Sequence, residues 1–360
     1  MSDHAQLKAL LKSHLTWHGA RLAFLASAVL ALLIVRTVSL PQLALAFPGR
    51  AQVDSHLKRL KRFFDDYEVN FDSVARLLVA LLDLPPDARL VLTLDRTNWK
   101  FAGVSVNILA LGVAWNGTAI PLFWSLLVNR GGNSSTWDRI DILRRFLAVF
   151  GADRIDCLVA DREFIGKAWF AHLRSQGIRF RIRIKADTRV ASAKGKLVAA
   201  KDLFRSLPIG YSQTLSGARR LWGQELYILA VRLEDGTYLL LATPDTPETA
   251  LDDYRKRWGI ETLFGSLKTR GFQFEATHMT DPERIRKLVA ILAIAFTWAC
   301  RMGKWLHDTV KALRTKKHGR LEKSLFRYGY DVLRHRLLQA VADFDTPSRL
   351  GPFLELLSGT

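Results

Sequence analysis

The feature that most constrains the fold is a run of strand-like segments between residues 89 and 185. These segments are rich in Val, Leu and Ile, and they cover residues 90–95, 104–115, 118–128, 155–160 and 180–185. Asn116-Gly117 separates the second segment from the third and predicts a tight hairpin. Helical spacing occupies the next two gaps, over residues 137–150 and 164–176. The pattern therefore predicts a mixed α/β sheet.

Three antiparallel strands, a helix, a strand, a helix and a strand form the order of the ribonuclease H-like fold. The segment after them has a different texture, because short β runs alternate with glycine and polar residues, and it predicts a β-rich insertion. Both ends of the chain have helical spacing. We expect a helical N-terminal region at 1–86, the first part of the core at 87–186, the insertion at 187–245, the second part of the core at 246–310 and a helical C-terminal region at 311–360.

The chain carries a large excess of positive charge. Its 360 residues include 53 Lys and Arg against 34 Asp and Glu, which gives a net charge of +19 and a pI near 10.2. This balance favours a polyanion such as nucleic acid as the partner, although ribosomal and membrane-surface proteins share it. Apolar residues make up 49% of the chain, which excludes a disordered protein.

The cysteines and the N-terminal apolar run bear on the cellular compartment. Two cysteines, Cys157 and Cys300, are too few for a disulfide framework or a zinc cluster, so a reducing cytoplasm is expected. Residues 22–35 form an uncharged apolar run behind three cations, which imitates a signal peptide. The run is too short to span a bilayer and leads into basic helical sequence. We therefore expect a buried core helix and no membrane partner.

The N-terminal region predicts a helix-turn-helix that binds DNA. Ser39 can cap a short helix with Pro41 in its first turn, and residues 48–50 break that helix. A longer basic helix resumes at Gln52. This outline is that of a helix-turn-helix, and a plain helical bundle would share it. The candidate DNA-binding residues on the second helix are Lys58, Arg59, Lys61 and Arg62.

Two of the predicted strands end on an acid, Asp95 and Asp161. Adjacent strands deliver such ends to one edge of a sheet, where ligands bind. If Glu261 comes from a helix packed on that edge, three carboxylates converge, and a hard divalent cation removes their mutual repulsion. Two Mg²⁺ ions about 4 Å apart could then promote an in-line displacement at phosphorus by a water or a 3′-hydroxyl. The alternative is that the aspartates are turn residues or ion-pair partners of Arg96 and Arg162.

The predicted Glu helix carries an unusual combination of side chains. At about 100° per residue, a phenol, two cations and the acid fall within an arc of roughly 60°. These residues are Tyr254, Arg257, Glu261 and Lys268. Backbone phosphate would use such a stripe, because the cations hold its oxygens, the acid helps to hold a metal and the ring can lie against sugar or base. A basic surface helix with one incidental Glu is the alternative.

These residues resemble the DDE transposases of the insertion sequence four family. The resemblance rests on Asp95-Arg96-Thr97-Asn98-Trp99, on Ala160-Asp161-Arg162-Glu163-Phe164 and on the Y-(2)-R-(3)-E-(6)-K spacing of the helix. It extends from about residue 89 to about residue 280, roughly half of the chain. It implies a ribonuclease H-like catalytic core with a β insertion between the second Asp and the Glu. It also implies metal-dependent strand cleavage and joining at the inverted ends of a mobile element, which is cut-and-paste transposition.

The resemblance also implies individual roles. The catalytic residues, which would hold two Mg²⁺ ions with Mn²⁺ as a substitute, would be Asp95, Asp161 and Glu261. The candidates for DNA contact near the acids are Tyr254, Arg257, Lys268, Arg162 and Trp222. The first three would grip the terminal phosphates and a flipped nucleotide, and Trp222, the one tryptophan of the insertion, would stack at the flip site. The implied partners are double-stranded inverted repeat ends and target DNA, bound by a homodimer in a synaptic complex in the bacterial, nucleoid-associated cytoplasm.

Two other functions stay open at this point. A ribonuclease H-like nuclease or resolvase would cleave DNA without joining it. A catalytically retired transposase would act only as a DNA-binding regulator, although a binding protein gains nothing from burying three unpaired acids.

Overall fold

The computed structural model describes residues 3–127, 132–317, 319–342 and 354, and it confirms the predicted mixed α/β architecture. The helices are α1 Asp3–His14, α2 Gly19–Val35, α3 Leu40–Leu45, α4 Val53–Asp66, α5 Phe71–Ala80, α6 Thr136–Phe150, α7 Lys167–Ser175, α8 Ala250–Arg255, α9 Trp258–Gly265, α10 Pro282–Trp305 and α11 Leu325–Ala342. The strands are β1 Leu90–Phe101, β2 Val104–Trp115, β3 Thr118–Leu126, β4 Ile155–Ala160, β5 Phe180–Ile184, β6 Arg189–Ala191, β7 Leu197–Ala199, β8 Ser212–Thr214, β9 Arg219–Leu221, β10 Gln224–Arg232 and β11 Tyr238–Thr243.

The main sheet has the strand order β3-β2-β1-β4-β5-β11-β10-β8, with β9 paired to β10. β1 lies near the middle, antiparallel to β2 and parallel to β4. Asn116 and Gly117 form the turn between β2 and β3 with φ angles of 45° and 78°, which is the conformation that this dipeptide favours. Val128, the predicted end of the third strand, lies outside the described residues. In the predicted C-terminal region, residues 343–353 and 355–360 also lie outside them.

The β-rich segment after β5 does not stand apart from the sheet. β11 pairs antiparallel with β5, and β10 and β8 follow it, so three of its strands extend the main sheet. Its alternating apolar residues pack against both faces, with Leu240 in the main core and Leu241 beside Tyr254. Pairing with β11 satisfies backbone groups of β5 that would otherwise lie at a sheet edge.

Two helices form the centre of the helical layer. The apolar run at residues 22–35 lies in α2, and nearly every residue from Leu22 to Leu33 is buried, as predicted for a core helix. α10 is also buried along most of its length, and it touches both the sheet and the N-terminal helices. No described helix combines the length and apolarity that a bilayer crossing requires.

Consecutive residues of α10 connect the N-terminal helices to the sheet. The Lys287 ammonium donates to the carbonyl oxygen of Phe64, at the end of α4, at 2.7 Å. The carbonyl oxygen of Arg286 accepts a hydrogen bond from the Trp124 indole of β3 at 3.1 Å. α10 therefore fixes α4 relative to the sheet.

The helix α11 contacts both α2 and α10. The Tyr330 hydroxyl of α11 donates to the carbonyl oxygen of Leu33 at 3.1 Å, and Arg334 Nε donates to that of Ile34 at 2.9 Å. α11 crosses α10 at Gly329, where the two backbones touch. A Cβ at Gly329 would lie 2.0 Å from the Ala299 carbonyl oxygen, so this crossing requires glycine.

We predict that Gly329→Ala destabilises the protein by about 1–3 kcal/mol, because the added methyl group forces α10 and α11 apart. Thermal unfolding followed by circular dichroism measures the effect. Gly19→Ala is the matched control, since a Cβ there meets only Lys8 Nζ at 3.9 Å. Equal unfolding temperatures for the two variants would contradict the close crossing.

Candidate active site

Asp95 and Asp161 lie side by side in the sheet. β1 and β4 are parallel, and Leu94 pairs with Ala160. Asp95 directly follows Leu94, and Asp161 directly follows Ala160. The predicted proximity of the two aspartates is confirmed by this register. The prediction that Asp95 ends a strand is wrong, because β1 continues to Phe101 and only β4 ends here. Asp95 is mostly buried, whereas Arg162, which follows Asp161, is exposed.

The helix that carries Glu261 approaches the sheet closely because small residues lie beneath it. Ala110 pairs with Asp95 and Gly112 pairs with Thr93, so both face the same side of the sheet as Asp95. α9 packs across this face, and a Cβ at Gly259 would lie 2.5 Å from the carbonyl group of Thr118. The missing side chain at Gly259 lets Glu261 come down onto the sheet.

The single regular helix predicted for this segment is wrong. Between α8 and α9 the backbone hydrogen bonds become those of a 3₁₀ turn, as from the Gly259 N–H to the Lys256 carbonyl oxygen at 3.1 Å. Residues Ser266–Arg270 then form a π-helical turn. The 3₁₀ turn winds more tightly than an α-helix and the π turn winds less tightly, so side chains along this segment do not follow a regular angle of about 100° per residue. Within the π-helical turn, Lys268 donates to the Asn98 carbonyl oxygen at 3.0 Å and forms an ion pair with Glu275 at 2.9 Å.

Arg257 joins two of the acids. Its guanidinium lies 3.4 Å from Asp95 Oδ2 and 2.6 Å from Glu261 Oε1. The Arg257 side chain is 9% exposed, and its guanidinium carbon lies 5.6 Å from the centre of the Tyr254 ring. Arg257 therefore neutralises part of the negative charge of Asp95 and Glu261.

Asp161 has a weaker partner. Its ion-pair partner is Arg183 of β5, at 3.8 Å, which is too long for a hydrogen bond. Asp161 Oδ1 is buried and has no hydrogen-bond partner among the described residues. A buried carboxylate oxygen that has no hydrogen bond and only a distant guanidinium is suited to a ligand that brings positive charge.

Burial raises the pKa of Asp95 to about 6. The Arg96 backbone N–H, 2.7 Å from Asp95 Oδ1, and the charge of Arg257 lower this pKa, whereas the charges of Asp161 and Glu261 raise it. Asp161 and Glu261 are thus close enough to act on Asp95. Their repulsion is what a shared cation would remove.

The carboxylate oxygens of Asp95, Asp161 and Glu261 are suitable ligand atoms for a divalent metal. Carboxylate oxygens are the hard donors that Mg²⁺ prefers, and Asp161 offers an oxygen without a hydrogen-bond donor among the described residues. The carboxylates are not assembled around one point, because Arg257 lies between Asp95 and Glu261 and the three do not all lie within 4.8 Å of one another. Binding of metal would require Arg257 to release at least one acid.

A tighter group of potential ligands lies under α8, where Asp156, Cys157 and Asp253 are within 4.8 Å of one another. Guanidinium groups already supply its positive charge, with Arg179 2.5 Å from Asp156 and Arg181 3.4 Å from Asp253. Burial raises the pKa of Cys157 to about 12, so its thiol stays protonated at neutral pH. We interpret this group as an ion-pair cluster that anchors α8 to the sheet.

An ion pair that sequence reasoning missed connects the segments after the two aspartates. Arg96 contacts both carboxylate oxygens of Glu163, at 2.9 and 3.2 Å. The Ser134 backbone N–H also donates to Glu163 at 3.2 Å. The alternative that the Arg96 guanidinium pairs with Asp95 is wrong. The sequence carried a signal for this ion pair, because Arg96 directly follows Asp95 and Glu163 lies two residues after Asp161.

The remaining candidates lie in different places. Tyr254 is 5% exposed, and burial raises its pKa to about 12. Trp222 is half-buried in the β9–β10 turn with φ 50°, and its ring packs edge-on against Phe170 of α7 at 5.1 Å. The basic residues of the predicted helix-turn-helix lie on α4, where Lys58, Lys61 and Arg62 are exposed and Arg59 is half-buried.

We predict that Asp95→Asn raises the unfolding temperature of the metal-free protein at about pH 8. The displacement of the Asp95 pKa from 3.8 to about 6 corresponds to a loss of roughly 3 kcal/mol in the free energy of unfolding when the carboxylate is ionised. Above pH 6 both folded and unfolded chains carry the ionised carboxylate, and its burial penalty is complete. As the pH falls towards 4 the folded chain takes up the proton first, so the penalty disappears.

Thermal unfolding at about pH 8 and about pH 4, with a chelator present, measures this difference. The advantage of Asp95→Asn should be present at the higher pH and absent at the lower one. Asp87→Asn, at an exposed position, is the control and should show no such difference. A stabilisation that is equal at both pH values would show that ionisation of Asp95 is not its cause.

Comparison with known proteins gives a family match and distant structural similarities. Residues 129–298 match the family model described as a transposase DDE domain, which is slightly less than half of the chain. The matched range includes Asp161 and Glu261 and begins after Asp95. No curated protein matches the chain.

Among solved structures, the chain is similar to the cryo-EM structure of a piggyBac transposase synaptic complex with hairpin DNA. The identity is 12%, the TM-score is 0.44, and the alignment covers 99% of this chain and 80% of that one. These values describe a distant similarity. The family match over residues 129–298 supports a DDE transposase.

Proposed function

We propose that the protein is a DNA transposase that binds the inverted ends of an insertion sequence and catalyses metal-dependent strand cleavage and strand transfer. The observation that carries this proposal is the approach of Asp95, Asp161 and Glu261 from two adjacent strands and one helix. Their mutual electrostatic effect is the property expected of carboxylates that share metal ions. The family match, which includes two of the three acids, supports the same assignment.

The sheet supports a ribonuclease H-like core within this proposal. The strands β3-β2-β1-β4-β5 are consecutive in the sheet, with β1 to β3 antiparallel and β4 and β5 parallel to β1. α6 connects β3 to β4 along the chain, and α7 connects β4 to β5. This order agrees with the one that the sequence predicts. The β-rich segment at 187–245 would then be an insertion that extends the core sheet.

In the proposed mechanism the three acids hold Mg²⁺ or Mn²⁺. Bound metal would supply Lewis-acid stabilisation of charge at phosphorus and an activated water or 3′-hydroxyl. Before DNA binds, Arg257 offsets the repulsion between Asp95 and Glu261. Once released from the acids, the Arg257 guanidinium would be available to phosphate oxygens, which it can bind through two parallel hydrogen bonds.

The proposed DNA path has two parts. Arg162 is exposed beside Asp161, so it can contact a strand that enters the site. The basic face of α4, which carries Lys58 and Lys61, would bind the duplex outside the site. The roles of Tyr254, Lys268 and Trp222 in gripping a flipped nucleotide stay proposals. A homodimer that holds two ends in a synaptic complex, and later the target DNA, completes the proposed assembly.

We predict that Glu261→Gln abolishes Mg²⁺-dependent cleavage of DNA and leaves DNA binding near normal, because it removes a metal ligand without changing the shape of the side chain. A nicking assay with labelled duplex, with Mg²⁺ or with chelator, measures cleavage. Glu248→Gln, at an exposed position of the same region, is the control and should cleave normally. Unchanged cleavage by Glu261→Gln would contradict the assignment.

The same assay separates the two enzymatic alternatives. A transposase joins the cut ends to a second DNA molecule, whereas a nuclease leaves them free. A regulator would bind DNA and cleave none with any divalent cation.

We predict that Lys58→Ala with Lys61→Ala weakens DNA binding and makes it less dependent on salt. Each lysine that neutralises one phosphate contributes about 0.9 to the slope of log K against log salt, so the slope should fall by roughly 1.8. Fluorescence anisotropy over a series of salt concentrations measures both quantities. If slope and affinity stay unchanged, α4 does not lie on the duplex.

A further inference from the structure

A groove between α2 and α4 brings three arginines together. The residues that line it include His18, Arg21, Phe24, Ser55, Arg59 and Arg62. Arg21 comes from the first turn of α2, and Arg59 and Arg62 come from α4 one turn apart. Three guanidinium groups from two helices therefore face one space.

The positive charge in this groove has no counterpart in the described part of the chain. None of the three arginines forms an ion pair there, and Asp65, on the same helix as Arg59, pairs with Arg284 at 2.7 Å instead. Elsewhere in the structure, buried arginines such as Arg181 and Arg257 have carboxylate partners. The groove is therefore suited to an anion from outside the chain.

Two of the three guanidinium groups, those of Arg59 and Arg21, are held in place before any ligand binds. Arg59 donates to the Ala20 carbonyl oxygen at 3.3 Å and lies 5.7 Å from the centre of the Phe24 ring. Arg21 lies 4.5 Å from the centre of the Tyr67 ring. Burial, and then the charge of Arg21, lower the pKa of Arg59, so the two cations act on each other. An anion between them would remove that repulsion.

We propose that this groove binds one phosphate group of the DNA backbone, held jointly by Arg21, Arg59 and Arg62. The proposal rests on the proposed function, because a DNA-binding N-terminal region supplies the ligand. Guanidinium forks match the geometry of phosphate oxygens, and the N-terminal end of α2 adds positive potential. Lys58 and Lys61 lie exposed on the same helix and would contact other phosphates separately.

Salt dependence of DNA binding tests the proposal in the full chain. Arg21→Gln, Arg59→Gln and Arg62→Gln, alone and combined, are titrated against random-sequence duplex DNA by anisotropy. One shared phosphate predicts that the triple variant lowers the slope of log K against log salt by about 0.9, the value for a single phosphate. Each single variant should already lose most of the affinity that the triple variant loses, roughly tenfold.

Arg76→Gln, at an exposed position of α5, is the matched control and should bind as the unchanged chain does. Arg59→Lys should keep the slope and lose part of the affinity, because it keeps the charge without the fork. Thermal unfolding checks each variant, and Arg62→Gln, whose side chain is exposed, decides the question if the other two fail to fold.

Two results would overturn the proposal. A slope that falls by about 0.9 for each arginine removed would indicate three separate contacts on an open basic surface. Unchanged binding in all variants would place the duplex elsewhere. The Glu261→Gln chain gives the same binding readout without cleavage, so failure of the proposed active site and failure of the groove are distinguishable.

Discussion

The contact of Arg257 with Asp95 and Glu261 holds the sheet and the helix of the candidate site together. The guanidinium lies 3.4 and 2.6 Å from the two carboxylates, in a place where burial raises the pKa of Asp95. Without that positive charge, the repulsion between the two acids would be uncompensated. The same position, between the acids, is the one from which a bound metal would displace the arginine. Order in the site and its capacity for metal thus depend on one side chain.

The sequence allowed the two aspartates to be placed together, because each follows an apolar run and adjacent strands bring such positions side by side. The pairing of Leu94 with Ala160 agrees with that reasoning. The sequence did not show that β1 continues through Asp95 to Phe101. The direction of Lys268 could not be predicted, since it depends on whether a turn has 3₁₀, α or π hydrogen bonds. Residue types in this segment do not encode that choice. The roles of the acids in catalysis stay predictions.

The region around β5 shows a second limit. Basic and apolar residues alternate in the fifth predicted strand, and Arg181 and Arg183 share one face of β5. Sequence reasoning could not show that Arg181 is fully buried there, because its burial depends on Asp253 of α8, far along the chain. Nor could it show that β11 joins β5, because edge pairing is decided by the assembled sheet.

The hydrogen bonds of α10 have a consequence for the proposed binding of DNA. Lys287 donates to the end of α4, and the neighbouring Arg286 accepts from Trp124 of β3, so one turn of α10 joins the basic helix to the sheet that carries Asp95. The distance between α4 and the sheet is therefore set by the protein. Under the proposed function, the number of base pairs between the duplex that α4 would bind and the bond that would be cut is set by protein geometry and not by the DNA sequence.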